Sequence, residues 1–399
     1  MQNEPAQLPS RQVTGLSKSG AAVSRRRVLA ATVTPLASIL GSGLLIIVPV
    51  LEGALGPLAV FGAIAVSAVA WSAGTAIRHG VRVVEPLDNS GELDSVTDRL
   101  GWFADAVIAV AYVISVALYL RIMAVYLISY LVEGGSPVAE RLVACGAVVV
   151  IVVIGIVRGF SGLDKLDRVT LAAVLALTTV LGATLLLHDG RALLGDTGLS
   201  LPPIPDMGVV QTLLVLGGIV ITVQGFETVR YLADEYNAET RVWASRVAQG
   251  IAASIYVGFV LVATPVMGLG TDAGADDTLL DITTRVAPLL ALPLVASAVL
   301  SQFSAAVADT AAADGDLRRL ARWMHGPRPF LVSGVAAIAL AATVDTYVIV
   351  AIASRAFAAY YAIQAIIALR TTKSMPKRIG FGVLAALMGA ITLFAQPAG

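Results

Sequence analysis

Apolar residues in this chain run on in blocks, separated by short polar stretches, and do not recur at the period of a one-sided helix or strand. Blocks of about 20 apolar residues match the thickness of a bilayer core. Eleven are readable, at 28–51, 55–77, 101–132, 137–157, 169–187, 209–234, 243–267, 279–310, 329–344, 346–369 and 379–396. Lipid offers the backbone no hydrogen-bond partner, so each block is predicted as a helix. The expected fold class is an all-α polytopic membrane protein. Two spans carry an interruption: Gly41-Ser42-Gly43 in span 1 and Gln224-Gly225-Phe226 in span 6. Glycine costs about 1 kcal/mol relative to alanine in a helix interior, so both helices are predicted to break at mid-membrane depth. Spans 3 and 8 are both unusually long. Both pairs are offset by about 180 residues. The pattern predicts two five-helix units, 25–190 and 205–370, of opposite orientation because five is odd. An added helix follows at 376–399. Inverted repeats with broken first helices are a transporter pattern.

Composition narrows the class. The chain has 399 residues, 57% hydrophobic and 14% charged, against about 25% charged in soluble domains. Its mean hydropathy is +0.84. A formal net charge of zero gives no basic signature for nucleic acid. The single cysteine, Cys145, excludes an intramolecular disulfide and a thiolate metal cluster. His79, His188 and His325 fall at span ends or in loops, so no metal role is expected of them.

Charge placement orients the spans. With the N-terminus in the cytoplasm, 22 of the 27 Lys and Arg residues fall in cytoplasmic segments. One miscounted span would invert every later loop. Residues 1–24 are polar and read as a disordered cytoplasmic tail. Arg25-Arg26-Arg27 then precedes span 1. No small-residue cleavage site follows, so an uncleaved first span is expected rather than a signal peptide. The C-terminus lies outside, and the sharp Lys/Arg bias fits a bacterial plasma (inner) membrane.

Three motifs resemble a known family. Gly41-Ser42-Gly43-Leu44, an apolar run to Pro49, and Gly56-Pro57 opening span 2 resemble the first two helices of the amino acid–polyamine–organocation (APC) permeases. Gly225-Phe226-Glu227, then Leu232-Ala233-Asp234-Glu235-Tyr236-Asn237 and Arg241, resemble the family's broken sixth helix and its cytoplasmic exit. Val307-Ala308-Asp309-Thr310, with Ala313-Asp314-Gly315-Asp316-Leu317, resembles the end of its eighth helix, although the arginine common near Asp309 is absent. Members usually have twelve helices, one more than here. The resemblance implies a LeuT-type fold, with substrate between spans 1, 3, 6, 8 and 10.

Side-chain chemistry points to the same region. A helix break exposes N–H groups at the positive dipole end of the following half-helix. Ser42, Gly43 and Leu44, beside Gly41, are therefore expected to hold a carboxylate. The carbonyls of Val220, Ile221, Thr222 and Val223, at the negative end of the first half of span 6, suit an ammonium group. The other reading is that the span 1 glycines admit a close helix contact. Pocket walls are expected from Tyr112, Leu118 and Tyr119 on span 3, Phe226 on span 6 and Ser297 on span 8. No acidic cluster lies near the breaks, so a neutral amino acid is favoured over a polyamine. A nucleobase, an ion, or a transport-inactive sensor stays open, because fold does not fix function. No span holds the convergent nucleophile and base of an enzyme.

Ionisable residues inside the bilayer cost at least about 2.5–3.5 kcal/mol each and need a partner or a function. Glu227 follows the span 6 break; the resemblance implies gating or proton coupling, and its position also suits a helix cap. Arg355 lies near mid-depth in span 10 and is expected to pair with Glu227 or with the substrate. Arg121 is expected to snorkel outward, and Asp105 and Asp309 to sit at cytoplasmic helix ends. Span 5 has no lysine, against the family's lysine-based proton coupling. Ser301 and Ser304, at i and i+3 on one helical face of span 8, with the carbonyl near Ala37, are candidate sodium ligands. Sodium, a proton carried by Glu227, and uncoupled exchange all remain open. No other cofactor is expected, and the partners are the substrate and the lipid bilayer.

Overall fold

A computed structural model describes residues 24–159, 163–195, 198–270 and 276–397. The expected disordered tail lies outside them. Every described element is helical. The helices are α1 (Arg25–Leu55), α2 (Ala59–His79), α3 (Glu85–Asn89), α4 (Ser95–Leu131), α5 (Pro137–Arg158), α6 (Leu163–Leu194), α7 (Val209–Gly217), α8 (Ala238–Met267), α9 (Thr278–Val286), α10 (Ala291–Leu320), α11 (Arg328–Thr343), α12 (Thr346–Thr371) and α13 (Met375–Phe394). Among the described residues, eight stretches are long and apolar enough to cross a membrane. One of them, Gly43–Asn89, contains both the second half of α1 and α2. Span 6 is broken into short pieces, and α11 has only 16 residues. Helix therefore occupies each of the eleven expected spans. Span 8 is divided, with α9 and a 3₁₀ turn leading into α10.

The centre of the bundle is α4, which packs against α10, α12 and α5. It is apolar all round and buried along most of its length, as expected of a helix surrounded by others. Its first turn is capped by Asp94, which accepts from the amides of Val96 and Thr97 at 3.1 Å. Arg370 at the end of α12 donates to the same carboxylate at 2.9 Å. The Thr97 hydroxyl and amide, with Arg370, hold the Asp94 carboxyl down to about 2. This contribution to stability is present above the ordinary carboxylate range and is lost as pH falls towards that value.

Span 6 breaks more extensively than its sequence indicates. α7 ends at Gly217, and 3₁₀ turns follow at Val220–Val223 and Phe226–Leu232. Between the turns, Gly225 takes a φ of +119°, a conformation that favours glycine. A Cβ there would also lie 2.6 Å from the Ser38 hydroxyl.

Span 1 does not break. α1 is one α-helix of 31 residues that passes through Gly41, Ser42 and Gly43. The cost of two glycines is smaller than that of exposing several backbone groups to an apolar interior. The glycines serve a close approach. A Cβ on Gly43 would sit 1.8 Å from the Thr222 carbonyl oxygen and 2.5 Å from the Tyr256 hydroxyl. The neighbour is the unwound part of span 6 and not the face of a helix. Pro49 leaves the Leu45 carbonyl without its intrahelical partner, and the Tyr126 hydroxyl supplies one at 3.2 Å.

Gly43→Ala is expected to force α1 and span 6 apart and to lower stability by about 1–3 kcal/mol, the range for overpacking. Gly41→Ala is expected to leave the melting temperature unchanged or raised, because its Cβ would meet nothing closer than 3.7 Å. Thermal unfolding of the two variants in detergent checks the pair.

Candidate functional site

Each backbone group freed at the span 6 break for which a contact is seen finds a partner nearby. Ser354 on α12 donates to the Gly218 carbonyl at 2.7 Å. Tyr256 on α8 lies 3.0 Å from the Thr222 carbonyl and 2.5 Å from that of Ile39 on α1, so one hydroxyl ties the two helices together. Thr228 donates to the Gly225 carbonyl at 2.7 Å. The Gly225 amide donates to Glu227 Oε2 at 3.0 Å. Buried backbone groups are nearly always paired in this way, and in lipid the requirement is stricter.

Glu227 is 1% exposed. Its Oε2 also accepts from the Tyr361 hydroxyl of α12 at 2.9 Å. Its Oε1 is buried without a hydrogen-bond partner among the described residues. Around it stand aromatic rings. Phe226 stacks on Tyr361 at 5.1 Å, Phe357 lies 6.2 Å from Tyr361, and Tyr112 meets Phe357 edge-on at 5.8 Å. Gln224, in the break, donates to the Tyr119 hydroxyl at 2.5 Å. Phe226, Glu227, Tyr112 and Tyr119, predicted separately on spans 3 and 6, thus fall in one connected cluster. Ser297 is buried on α10, with no contact to this cluster seen.

A polar layer closes the side that the positive-inside rule makes cytoplasmic. Arg230 donates to Tyr360 at 2.6 Å and to Asp105 at 3.4 Å. The Tyr231 hydroxyl lies 3.2 Å from that of Tyr112 and 3.1 Å from Asp316 Oδ2. Asp105 is therefore half of an ion pair between α4 and span 6. Asp309 departs from expectation. It is 4% exposed and accepts from the Ser115 hydroxyl of α4. Sequence reasoning missed Ser115, Tyr360, Tyr361 and Phe357. Their signal was faint, since hydroxyl and aromatic residues in a membrane helix are usually packing residues.

Other predicted residues are placed differently. Because α1 is unbroken, the amides around Gly41, Gly43 and Leu44 lie within a continuous helix and not at an open N-terminus, so the predicted carboxylate cradle is absent in this conformation. The Gly41 carbonyl instead accepts from Gln302 of α10 at 2.7 Å. The side chains of Ser42 and Ile221 lie outside the described residues. Val220, Thr222 and Val223 do form the turn before the break, and the Thr222 carbonyl is engaged by Tyr256. Arg355 pairs with neither Glu227 nor another carboxylate among the described residues. Its guanidinium donates twice to the Ala395 carbonyl beyond α13, with Nε at 2.9 Å. The next residue, Gln396, donates its amide to the Leu214 carbonyl of α7 at 3.0 Å. Arg121 does not snorkel; it is 4% exposed and reaches Thr346 at 3.4 Å. Ser301 donates back to the Ala298 carbonyl of its own helix at 3.2 Å. Ser304 donates to Asp167 of α6 at 3.0 Å, which brings a carboxylate beside span 8. Ala37 is buried on α1, with no contact seen to either serine.

The family described as APC superfamily transporter matches residues 21–395. The chain belongs to the APC superfamily of transporters. An uncharacterized protein of Aquifex aeolicus (strain VF5) is 32% identical over 373 residues, covering 92% of this chain and 89% of that one. Among solved structures, two mutant forms of the Eremococcus coleocola manganese transporter superpose with a TM-score of 0.60, at 10% and 11% identity, covering 98% of this chain and 89% of theirs. Identity that low shows a shared fold and carries no substrate. The superfamily assignment agrees with the motifs around Gly41 and Gly225, and the chain is a multi-pass membrane protein.

Arg355→Ala is expected to release residues 395–397 and leave the second hydrogen bond on Leu214 unsupported. A hydrogen bond to a charged group contributes about 1.5–3 kcal/mol, so a stability loss of that order is expected. Faster amide exchange confined to 394–397 and the end of α7 separates this role from a buried ion pair, whose loss would loosen α12 throughout.

Proposed function

We propose that this APC superfamily member is a secondary transporter of LeuT-type architecture. It moves amino acids, neutral and apolar ones first, across the plasma membrane by alternating access. The span 6 break and α1 are the elements that move against the α4–α10–α12 core. The observation that carries this reading is the carboxylate of Glu227: one oxygen is satisfied by a backbone amide and a tyrosine, and the other is buried with no hydrogen-bond partner among the described residues. Leaving a charged acceptor unpaired costs more than the about 1–3 kcal/mol of a neutral group. A substrate ammonium group supplies the missing donor. The aromatic wall of Phe226, Tyr112, Tyr119 and Tyr361 suits an apolar side chain better than a second charge. The substrate carboxylate needs N–H groups that α1 keeps within its helix here, so local unwinding at Gly41–Gly43 belongs to the transport cycle under this proposal.

A second reading uses the same oxygen. A proton carried on Glu227 would satisfy Oε1 and couple transport to the proton gradient; Asp309 and Ser115 lie on its route towards the cytoplasm. Sodium near Asp167, Ser304 and Ala37 is the other coupling option. A metal-ion substrate has less support, because no group of three or more His, Cys, Asp or Glu that could hold a metal occurs among the described residues.

Thermal unfolding of the purified protein with the twenty amino acids, spermidine, nucleobases and Mn²⁺ tests the substrate class. A ligand at 100 times its Kd stabilises the native state by about 2.7 kcal/mol. Stabilisation by one or a few neutral amino acids, lost in Glu227→Gln, is expected, together with uptake of the same compound into vesicles. A shift with spermidine or Mn²⁺ and none with any amino acid would discard the substrate class. Uptake by Glu227→Gln with an unaltered pH profile would remove the proton-carrying role.

A further inference from the structure

A large cleft opens at the cytoplasmic end of the bundle, far along α2 and α12 from the span 6 break. It has a volume of about 980 Å³ and is bounded by the ends of α2, α8 and α12 and by the start of α13. Five of its lining residues are cations: Arg78, Arg82, Arg246, Lys373 and Lys377. None is an aspartate or glutamate. This departs from the rest of the same face, where Arg230 pairs with Asp105, Arg241 with Glu85, Arg318 with Asp314 and Arg370 with Asp94. In the cleft only Arg82 has a carboxylate, that of Glu239 at 2.6 Å. Arg246, Lys373 and Lys377 have none within bonding distance among the described residues. Arg82 and Arg246 also stand close enough to Arg78 to repel its charge. Among the described residues, one carboxylate, that of Glu239, stands against these five cations.

The floor is built rather than incidental. Arg78 is 4% exposed and is fixed by Gln249, by Ser245 at 3.4 Å and by the Trp71 carbonyl at 3.2 Å. Its guanidinium lies 4.9 Å from the centre of the Trp71 ring. Trp71 precedes Arg78 by two helical turns on α2, and the guanidinium folds back onto its ring and carbonyl. Phe381 and Leu384 of α13 extend the same apolar wall inwards. Anion-binding groups at the membrane surface thus lead into a greasy slot at acyl-chain depth. A free inorganic anion would use only the first part.

We propose that this cleft binds an anionic phospholipid of the cytoplasmic leaflet, its phosphate held by Arg246, Lys373 and Lys377 above Arg78 and one acyl chain lying along Trp71 and Leu384. Basic pockets between transmembrane helices on this side are suited to such headgroups. The lipid bridges α2 and α8, which pack on span 1 and the span 6 break, to α12 and α13. Its phosphate relieves the repulsion among the cations.

The test uses the full chain in detergent, titrated with phosphatidylglycerol, with phosphatidylcholine of the same acyl chains, and with inorganic phosphate. Melting temperature and retained lipid by mass spectrometry are the readouts. Phosphatidylglycerol is expected to stabilise and be retained, and phosphatidylcholine is not. Each cation near an anionic surface contributes about fivefold in affinity, so Arg246→Gln/Lys373→Gln/Lys377→Gln together should weaken phosphatidylglycerol about a hundredfold. Lys373 and Lys377 are exposed and Arg246 is half-buried, so the fold should survive. Arg191→Gln, on the opposite face, should keep the wild-type preference. Equal retention of the two lipids by the wild type, or an undiminished preference in the triple variant, would overturn the proposal. Stabilisation by millimolar phosphate equal to that by phosphatidylglycerol would replace the lipid with a free anion.

Discussion

The backbone groups released where span 6 unwinds must all be satisfied inside the bilayer, and the surrounding helices are arranged to do so. Water cannot serve them at that depth. Tyr256 from α8, Ser354 from α12, and Thr228 and Glu227 from the segment itself each meet one of the freed groups. The same demand explains Gly43. Only a residue without a Cβ lets α1 pass close enough to the Thr222 carbonyl for Tyr256 to bridge both chains.

The proposed site sits where this arrangement is incomplete. Glu227 accepts a backbone amide and a tyrosine hydroxyl and keeps one buried oxygen unpaired. A folded protein retains such a group at a cost, and in a membrane helix an ionisable residue of this kind points to a site. The rings of Tyr112, Phe226, Phe357 and Tyr361 surround it, and the layer of Arg230, Asp105, Tyr231 and Asp316 closes the side that the positive-inside rule makes cytoplasmic. A substrate or a proton at Glu227 therefore has direct consequences for the hydrogen bonds that hold the unwound segment, and through Tyr256 for α1.

The cleft between the ends of α2 and α12 and the start of α13 works by a different balance. Within the bundle, polar groups are matched one to one. At the cleft, cations accumulate with no carboxylate among its lining residues, and Trp71, Phe381 and Leu384 supply an apolar wall beside them. The bilayer is then a ligand as well as a solvent for this protein.

The sequence by itself determined the all-α class, the succession of apolar helices and the break at Gly225. These follow from local rules: apolar length sets a span, and a Gln-Gly-Phe interruption cannot continue a helix cheaply. The prominence of Glu227 was legible too, because a charge at that depth requires a reason. Tertiary structure decided the rest. Gly41-Ser42-Gly43 carries the same local signal as the span 6 motif, yet α1 stays intact, and Gly43 answers to the Thr222 carbonyl across the gap and not to its own helix. Arg355 found a carbonyl at the far end of α13, Asp309 found Ser115, and Tyr361 found Glu227. Each partner lies more than 30 residues away in sequence. The pattern along a chain records how deep a residue sits, and only the packing of helices against each other fixes what it faces.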